Sequence, residues 1–217
     1  MGNKKILGLV AGLVVLGSLV SLFLSCYGLP PDLDRRPPRA LGQRLAREAL
    51  KLGGAGTKVI LITRDTSLFT NPFLDELQEG FLSTLRQGGG QLTLTHAIKV
   101  DPLRVTAVPP GDFLQILKKA STSEVVVSLL GPPVLTDGQA DTFSGKAPRL
   151  VALCSGQMED RLSLKKVFAQ GLMQVAVVDK KSATRGGPGG DGLEAWFDHF
   201  YAVVTPESPA EPVPASN

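Results

Sequence analysis

Apolar and polar positions divide the chain into an uncharged amino-terminal run, an alternating central region and a polar tail. Residues 6–29 carry no charged side chain, and about 20 apolar residues in a helix suffice to cross a bilayer. Residues 1–31 are therefore predicted to be a membrane anchor, preferably a single transmembrane helix. Two alternatives stay open: a cleaved signal peptide, and a lipoprotein signal in which Cys26 receives the lipid.

A basic, proline-rich stretch, residues 32–56, follows this segment. Its apolar residues recur at helical spacing from position 41 to position 52, which predicts a short amphipathic helix within a linker. Residues 32–51 hold six basic and three acidic side chains, whereas residues 52–217 hold 15 basic and 17 acidic ones. The linker is thus either solvated or in contact with the anionic head groups of membrane lipid. The rest of the chain lacks the positive charge that favours nucleic acid.

Apolar runs alternate with amphipathic helical stretches between residues 57 and 204. Five runs are typical of buried strands: 58–63, 91–100, 124–130, 148–154 and 173–179. Strands that alternate with helices predict an α/β domain, an open doubly wound parallel sheet of about five strands in a flavodoxin-like order. Residues 202–204 form a further short strand in this prediction. Residues 205–217, with four prolines, are predicted to be a disordered tail.

Polar residues follow the predicted strands at the edge where open parallel sheets bind ligands. Candidate ligand-binding residues are Asp65, Asp101, Ser155 and Asp179. The three aspartates could together hold a divalent cation in a small hydrolase or transferase. The chain has no phosphate-binding GxxxxGK[ST] loop, no GxSxG nucleophile turn and no cluster with zinc-ligand spacing. No cofactor is predicted, and a non-catalytic role is preferred.

Residues 59–90 resemble the opening of the type I periplasmic sugar-binding proteins and of the related ligand-binding domains of repressors. The matching residues are Asn71, Pro72, Phe73, Glu76 and Gly80. The resemblance implies a periplasmic-binding-like lobe in which Asn71, Phe73 and Asp65 help to hold the ligand. That family binds its ligand between two lobes, and this chain has residues for one. The resemblance therefore implies that a homodimer or a partner protein closes the cleft.

Three functions follow as hypotheses. The preferred one is a membrane-anchored, non-catalytic binding or assembly domain at a bacterial cell envelope, with a small-molecule ligand or a protein partner and with its domain outside the cytoplasm. The second is the metal-dependent hydrolase or transferase. The third is a structural membrane subunit that acts through an exposed apolar patch.

Overall fold

The computed structural model describes residues 12, 14–22, 33–99, 108–132, 134–143, 147–156, 164–180, 186–190 and 192–208. The chain divides into two compact units, Met1–Asp34 and Arg35–Asn217. Residues 14–22 of the first unit are helical. Among the described residues, none of the helices combines the length and the apolar character needed to cross a membrane. Most of the predicted anchor, including Cys26, lies outside the described residues, so the transmembrane helix stays a prediction.

The described part of the second unit alternates helices and strands. The helices are α1 (Arg36–Gly53), α2 (Pro72–Gln87), α3 (Pro110–Lys119), α4 (Asp137–Asp141), α5 (Leu164–Ala169) and α6 (Leu193–Phe200). The strands are β1 (Lys58–Arg64), β2 (Gln91–Ile98), β3 (Val125–Ser128), β4 (Arg149–Cys154), β5 (Val175–Asp179) and β6 (Tyr201–Val204). The sheet order is β2-β1-β3-β4-β5-β6.

The first five strands are parallel, and β6 alone among the described strands runs antiparallel to its neighbour β5. The predicted α/β class and the predicted order of the five parallel strands are confirmed. The sixth strand corresponds to the short run predicted at residues 202–204. Tyr201 pairs with Asp179, so β6 begins at the edge of the sheet at which β5 ends.

Both faces of the central strands are buried. Along β1, Val59 and Leu61 pack against α1, α2 and α6, whereas Ile60 and Ile62 pack on the side of α3, α4 and α5. Strands β3, β4 and β5 follow the same alternation, which explains their nearly continuous apolar sequences. Because helices cover both faces, the loops meet at the two edges of the sheet, and polar chemistry is confined to these edges.

Helix α1 differs from its prediction as a short helix in a linker. It extends over 18 residues and buries Leu41, Leu45, Ala46 and Ala49 against the sheet and its neighbouring helices. It therefore belongs to the α/β layer. The difference arises because the residues that pair with its charged positions lie far away in the sequence, in α2 and α6.

The basic side chains of α1 have partners within the protein. Glu76 of α2 pairs with Arg35 at 3.2 Å and with Arg39 at 3.1 Å. Buried Glu48 pairs with Arg44 and Lys51 of its own helix, and Glu194 of α6 pairs with Arg47 and again with Arg44. These four bonds are Arg44–Glu48 at 2.9 Å, Lys51–Glu48 at 2.9 Å, Arg44–Glu194 at 3.2 Å and Arg47–Glu194 at 2.7 Å. The structure thus gives no support to the predicted contact of this stretch with lipid head groups.

Two glycines bring α1 and α2 into close contact. A Cβ atom on Gly80 would overlap the backbone carbonyl oxygen of Arg39, and one on Gly42 would overlap that of Leu77. Both neighbours are backbone atoms, so the helices could accept a side chain only by moving apart. Glu76 and Gly80, two residues of the matching run, therefore act together in docking α1 on α2.

We expect Gly80→Ala to lower the free energy of unfolding by about 1–3 kcal/mol, because the added methyl group overpacks this helix contact. Urea denaturation followed by circular dichroism measures the change. Gly111→Ala is the matched control, since Gly111 lies in helix α3 with open space around it. The control should be neutral or stabilising by up to about 1 kcal/mol. Equal effects of the two substitutions would contradict the close contact.

Candidate functional site

A cleft with a volume of about 270 Å³ opens at the carboxyl-terminal edge of the sheet. It lies between the end of β1, the first two turns of α2 and the loops that follow β3 and β4. The lining residues are Arg64, Asn71, Phe73, Leu74, Leu77, Leu129, Leu130, Leu153 and Ser155. Ligands of open parallel sheets bind at this edge.

The floor of the cleft is apolar and its rim is mixed. Five leucines form the floor and are each less than a tenth exposed: Leu74, Leu77, Leu129, Leu130 and Leu153. The rim carries Arg64, Asn71 and Ser155, together with Phe73, whose side chain is 38% exposed. An apolar floor with a few polar groups at its margin is the usual composition of a small-molecule site.

Asn71 lines the cleft and caps the amino-terminal end of helix α2. Its side-chain Oδ1 accepts a hydrogen bond from the Leu74 backbone N–H at 3.2 Å, and Pro72 occupies the first helical turn. This is the helix start that the sequence predicts from Asn followed by Pro. Among the described residues, Oδ1 is the only side-chain atom of Asn71 that forms a hydrogen bond.

Arg64 is the charged side chain among the residues that line the cleft. Its guanidinium carbon lies 4.9 Å from the centre of the Phe69 ring, which holds the group by a cation–π contact. Its Nε atom is buried and has no hydrogen-bond partner among the described residues. No carboxylate of these residues forms an ion pair with it.

Asp65, which follows Arg64 in the chain, turns away from the cleft. Its Oδ1 accepts a hydrogen bond from the Ser67 backbone N–H at 2.9 Å, and this bond is the main reason why the pKa of Asp65 lies below its usual range. The carboxylate thus closes its own turn and does not line the cleft.

Asp179 also acts through a backbone group. Its Oδ2 accepts a hydrogen bond from the Gly156 N–H at 2.7 Å. Gly156 has a φ of +69°, a conformation that favours glycine. This bond joins the turn after β4 to the end of β5 and sets the position of Ser155 at the rim.

The structure brings together three of the six predicted ligand-binding residues: Asn71, Phe73 and Ser155. Asp65 and Asp179 lie at the same edge of the sheet but outside the cleft. Asp101 lies outside the described residues. The cleft also contains Arg64 and five leucines, which are not among the candidate residues named from the sequence.

The predicted divalent-metal site finds no support. Asp65 and Asp179 follow β1 and β5, which are separated by β3 and β4. At about 4.8 Å between neighbouring strands, the two carboxylates stand roughly 14 Å apart, whereas each oxygen ligand must come within about 2.6 Å of a cation. In the part of the chain that the structure describes, no group of three histidine, cysteine, aspartate or glutamate side chains could hold a metal ion.

A second hollow of about 250 Å³ lies between β2 and α3. Its polar lining includes His96, Lys99, Asp112 and Lys119. It contains none of the predicted site residues. The cleft at the strand ends therefore remains the candidate site.

The cleft residues that sequence reasoning missed share one cause. Leu129 and Leu130 stand in the apolar run predicted as strand 124–130, but β3 ends at Ser128. The Ser128 hydroxyl donates to the Gly131 carbonyl oxygen at 2.6 Å and accepts from the Leu130 N–H at 3.3 Å. This turn directs both leucines into the cleft floor. The only feature of the neighbouring sequence that indicates this turn is Ser128 followed three residues later by Gly131.

No protein-family model matches the sequence, and no curated protein matches it either. Among solved structures, a XylFII–LytSN complex superposes with a TM-score of 0.50 at 14% identity, over 78% of this chain and 60% of that one. AraP, an arabinose binding protein from Geobacillus stearothermophilus, gives 0.49 at 16% identity, over 78% and 61%. An ABC transporter solute binding protein from Burkholderia graminis, in complex with D-arabinose, gives 0.49 at 17% identity, over 77% and 59%.

The expected likeness to a periplasmic-binding lobe is confirmed at the level of the fold, since the XylFII–LytSN complex superposes with a TM-score of 0.50. The chain spans about 60% of the length of each of these structures. At identities of 14–17% the likeness concerns the fold alone.

Tyr201 allows a test of the β5–β6 edge that positions Asp179. Burial, with a smaller effect of the neighbouring Asp179 carboxylate, raises the pKa of Tyr201 to about 12. An unfolded tyrosine ionises near pH 10, so the stability contributed by Tyr201 is complete below pH 10 and is lost as the pH rises towards 12. We expect wild type to lose on the order of 1 kcal/mol more stability than Tyr201→Phe between pH 9 and pH 11. Urea denaturation at both pH values measures this, and parallel losses would contradict the assignment.

Proposed function

We propose that the second unit is a non-catalytic lobe that binds a small molecule in the cleft at the carboxyl-terminal edge of its sheet. The observation that carries the proposal is the cleft itself. An apolar leucine floor meets a donor set of Arg64, Asn71 and Ser155 beside the exposed ring of Phe73. The elements that build it are packed on both faces of the sheet, so the site is preformed.

The carboxylates near the cleft support binding rather than proton transfer. Asp65 and Asp179 each accept a hydrogen bond from a backbone N–H. Both groups therefore serve the loops, and neither is placed in the cleft, where a general base must reach the proton that it abstracts.

The amino-terminal unit supports a place at the membrane of a bacterial cell envelope, with the lobe outside the cytoplasm. Six apolar side chains of residues 14–22 are more than half exposed: Val14, Val15, Leu16, Leu19, Val20 and Leu22. Transfer of such a surface from water into lipid is favourable. The uncharged run of residues 6–29 has the length that this transfer requires.

Assembly with a partner protein is the second candidate. Three apolar side chains of the loop after β1 and the start of α2 are exposed: Leu68 by 91%, Phe69 by 42% and Phe73 by 38%. A partner that covers the open side of the cleft would bury all three, whereas a small ligand within the cleft would leave Leu68 in solvent. Substitutions at Leu68, Asn71 and Phe73 therefore distinguish small-molecule binding from assembly with a partner protein.

We expect Asn71→Asp and Phe73→Ala each to weaken binding of a small molecule by about tenfold, or about 1.4 kcal/mol. Asn71→Asp keeps the helix cap but removes the amide donor, and Phe73→Ala removes the aromatic wall. Ligands are found by thermal melting of the full chain against sugars, amino acids and organic acids, and titration calorimetry then gives the dissociation constants. Leu68→Ala is the control and should bind as wild type does.

Two results of this experiment would argue against small-molecule binding in the cleft. Full affinity in both Asn71→Asp and Phe73→Ala would show that the small molecule binds elsewhere. Loss of complex formation with a protein in Leu68→Ala, with no small-molecule effect in any variant, would favour the assembly function.

The membrane proposal predicts that the full chain stays with membranes after alkaline carbonate extraction. Val15→Asp combined with Leu19→Asp should release it, because a charged side chain at the middle of a membrane helix costs about 2.5–3.5 kcal/mol. Fractionation followed by immunoblotting measures the distribution. Recovery of the unprocessed wild-type chain in the aqueous fraction without detergent would contradict the anchor.

A further inference from the structure

We infer that the ligand of the cleft carries a carboxylate, bound by Arg64, on an apolar body that lies on the leucine floor. The inference rests on the proposed function and names the chemical class of its ligand: a small monocarboxylic acid with an aromatic or branched apolar body. Two independent features of the cleft carry it, namely the guanidinium at the rim and the composition of the floor.

The described ion pairs involve other basic residues, so no described carboxylate neutralises the guanidinium of Arg64. Its Nε is buried without a hydrogen-bond partner among the described residues, and a buried polar group without a partner destabilises the fold. A carboxylate offers two oxygen acceptors in the plane of the guanidinium, which matches the fork of donors on arginine. A single neutral hydroxyl would satisfy only part of that fork.

The protein's own carboxylates near the cleft do not serve this role. Asp65 is the next residue in the chain, but its Oδ1 is held by the Ser67 N–H at 2.9 Å. Asp179 is held by the Gly156 N–H at 2.7 Å, and its strand β5 is separated from β1 by two strands. The positive charge of Arg64 is therefore left to a group from outside the described residues.

Contact with Phe69 orients the guanidinium. The ring centre lies 4.9 Å from the guanidinium carbon, so the contact limits the positions that the charged group can take at the rim. Lysine at this position would carry the charge without the fork.

Helix α2 adds to the positive potential at the same rim. It is 16 residues long, and its first two turns supply Phe73, Leu74 and Leu77 to the cleft. The amino-terminal end of a helix dipole favours a negative charge. The Asn71 amide nitrogen beside it is a second donor for the carboxylate or for a polar substituent next to it.

The floor excludes a ligand that is polar all round. Five leucine side chains offer no hydrogen bonds, so sugar hydroxyl groups placed on them would lose their bonds to water without replacement. An apolar body gains from leaving water on the same surface. The volume of about 270 Å³ lies just below the usual range of about 300–1,000 Å³ for ligand pockets, which favours a small body such as a phenyl ring.

The test is a matched pair, phenylacetate and phenylacetamide, titrated into the full chain in a non-ionic detergent that contains no sugar. We expect the acid to bind at least about tenfold more tightly than the amide, since hydrogen bonds to a charged group are the stronger ones. Arg64→Gln should weaken the acid by about tenfold or more and leave the amide unchanged. The affinity of Arg64→Lys for the acid should lie between those of wild type and Arg64→Gln.

The control variant is Arg86→Gln, because Arg86 is exposed in the last turn of α2, at the far end from the cleft. It should bind both compounds as wild type does. Circular dichroism melting of each variant shows that it folds. Should Arg64→Gln fail to fold, Arg64→Lys still reports the loss of the fork.

The remaining outcomes separate this inference from the proposed function. Equal affinity for the acid and the amide, or an undiminished affinity for the acid in Arg64→Gln, overturns the inference. Binding of D-arabinose without binding of phenylacetate overturns it as well but leaves small-molecule binding intact. Inorganic phosphate that binds as tightly as phenylacetate refutes the role of the floor. Failure of all four compounds counts against both proposals.

Discussion

The close contact between α1 and α2 is the constraint on which the rest of the structure depends. Gly42 and Gly80 let the two helices touch through backbone atoms, and Glu76 fixes the approach by pairing with Arg35 and Arg39. Helix α2 is thereby held in one position over β1, and its first turn delivers Asn71 and Phe73 to the cleft. A shift of α2 would change the site and the core together.

The same contact gives a physical meaning to the run that resembles the periplasmic sugar-binding proteins. In that run, Asn71 and Phe73 lie at the cleft, whereas Glu76 and Gly80 lie one and two turns further along α2 and dock α1. Two of the five matching residues thus concern helix packing. This explains why the matching residues predict the fold with more certainty than they predict a ligand.

The sequence pattern within an element was sufficient to predict that element where its own burial or capping determines its structure. The buried runs of β1, β3, β4 and β5 and the Asn–Pro start of α2 were predicted because burial on both faces and helix capping leave direct marks in the sequence. Helix α1 was assigned to a linker because its charged positions resemble a solvated face until Glu76 and Glu194 are brought to it. An ion pair between residues about 150 positions apart, such as Arg44 and Glu194, leaves no pattern in the neighbouring sequence.

The candidate site likewise contains residues that the sequence predicts and residues that it does not predict. The family resemblance nominated Asn71 and Phe73, the strand-end reasoning nominated Ser155, and the cleft contains all three. Sequence reasoning overvalued Asp65 and Asp179, since a carboxylate that closes a turn looks like a ligand-binding carboxylate in sequence. It gave Arg64 no role, because the sequence alone does not show that the Asp65 carboxylate is held by the Ser67 N–H. The separation of β1 from β5 in the sheet order, which gives the metal hypothesis no support, depends on topology.

Hydrogen–deuterium exchange of the full chain, with and without phenylacetate, tests the central claim most directly, because it locates the ligand without a substitution. The account predicts slower exchange at three places that meet only in the folded cleft: residues 64–74, residues 129–131 and residues 155–156. Exchange in α3 and around His96 should not change. Protection confined to the hollow between β2 and α3, or unchanged exchange at the cleft under saturating ligand, would contradict the account.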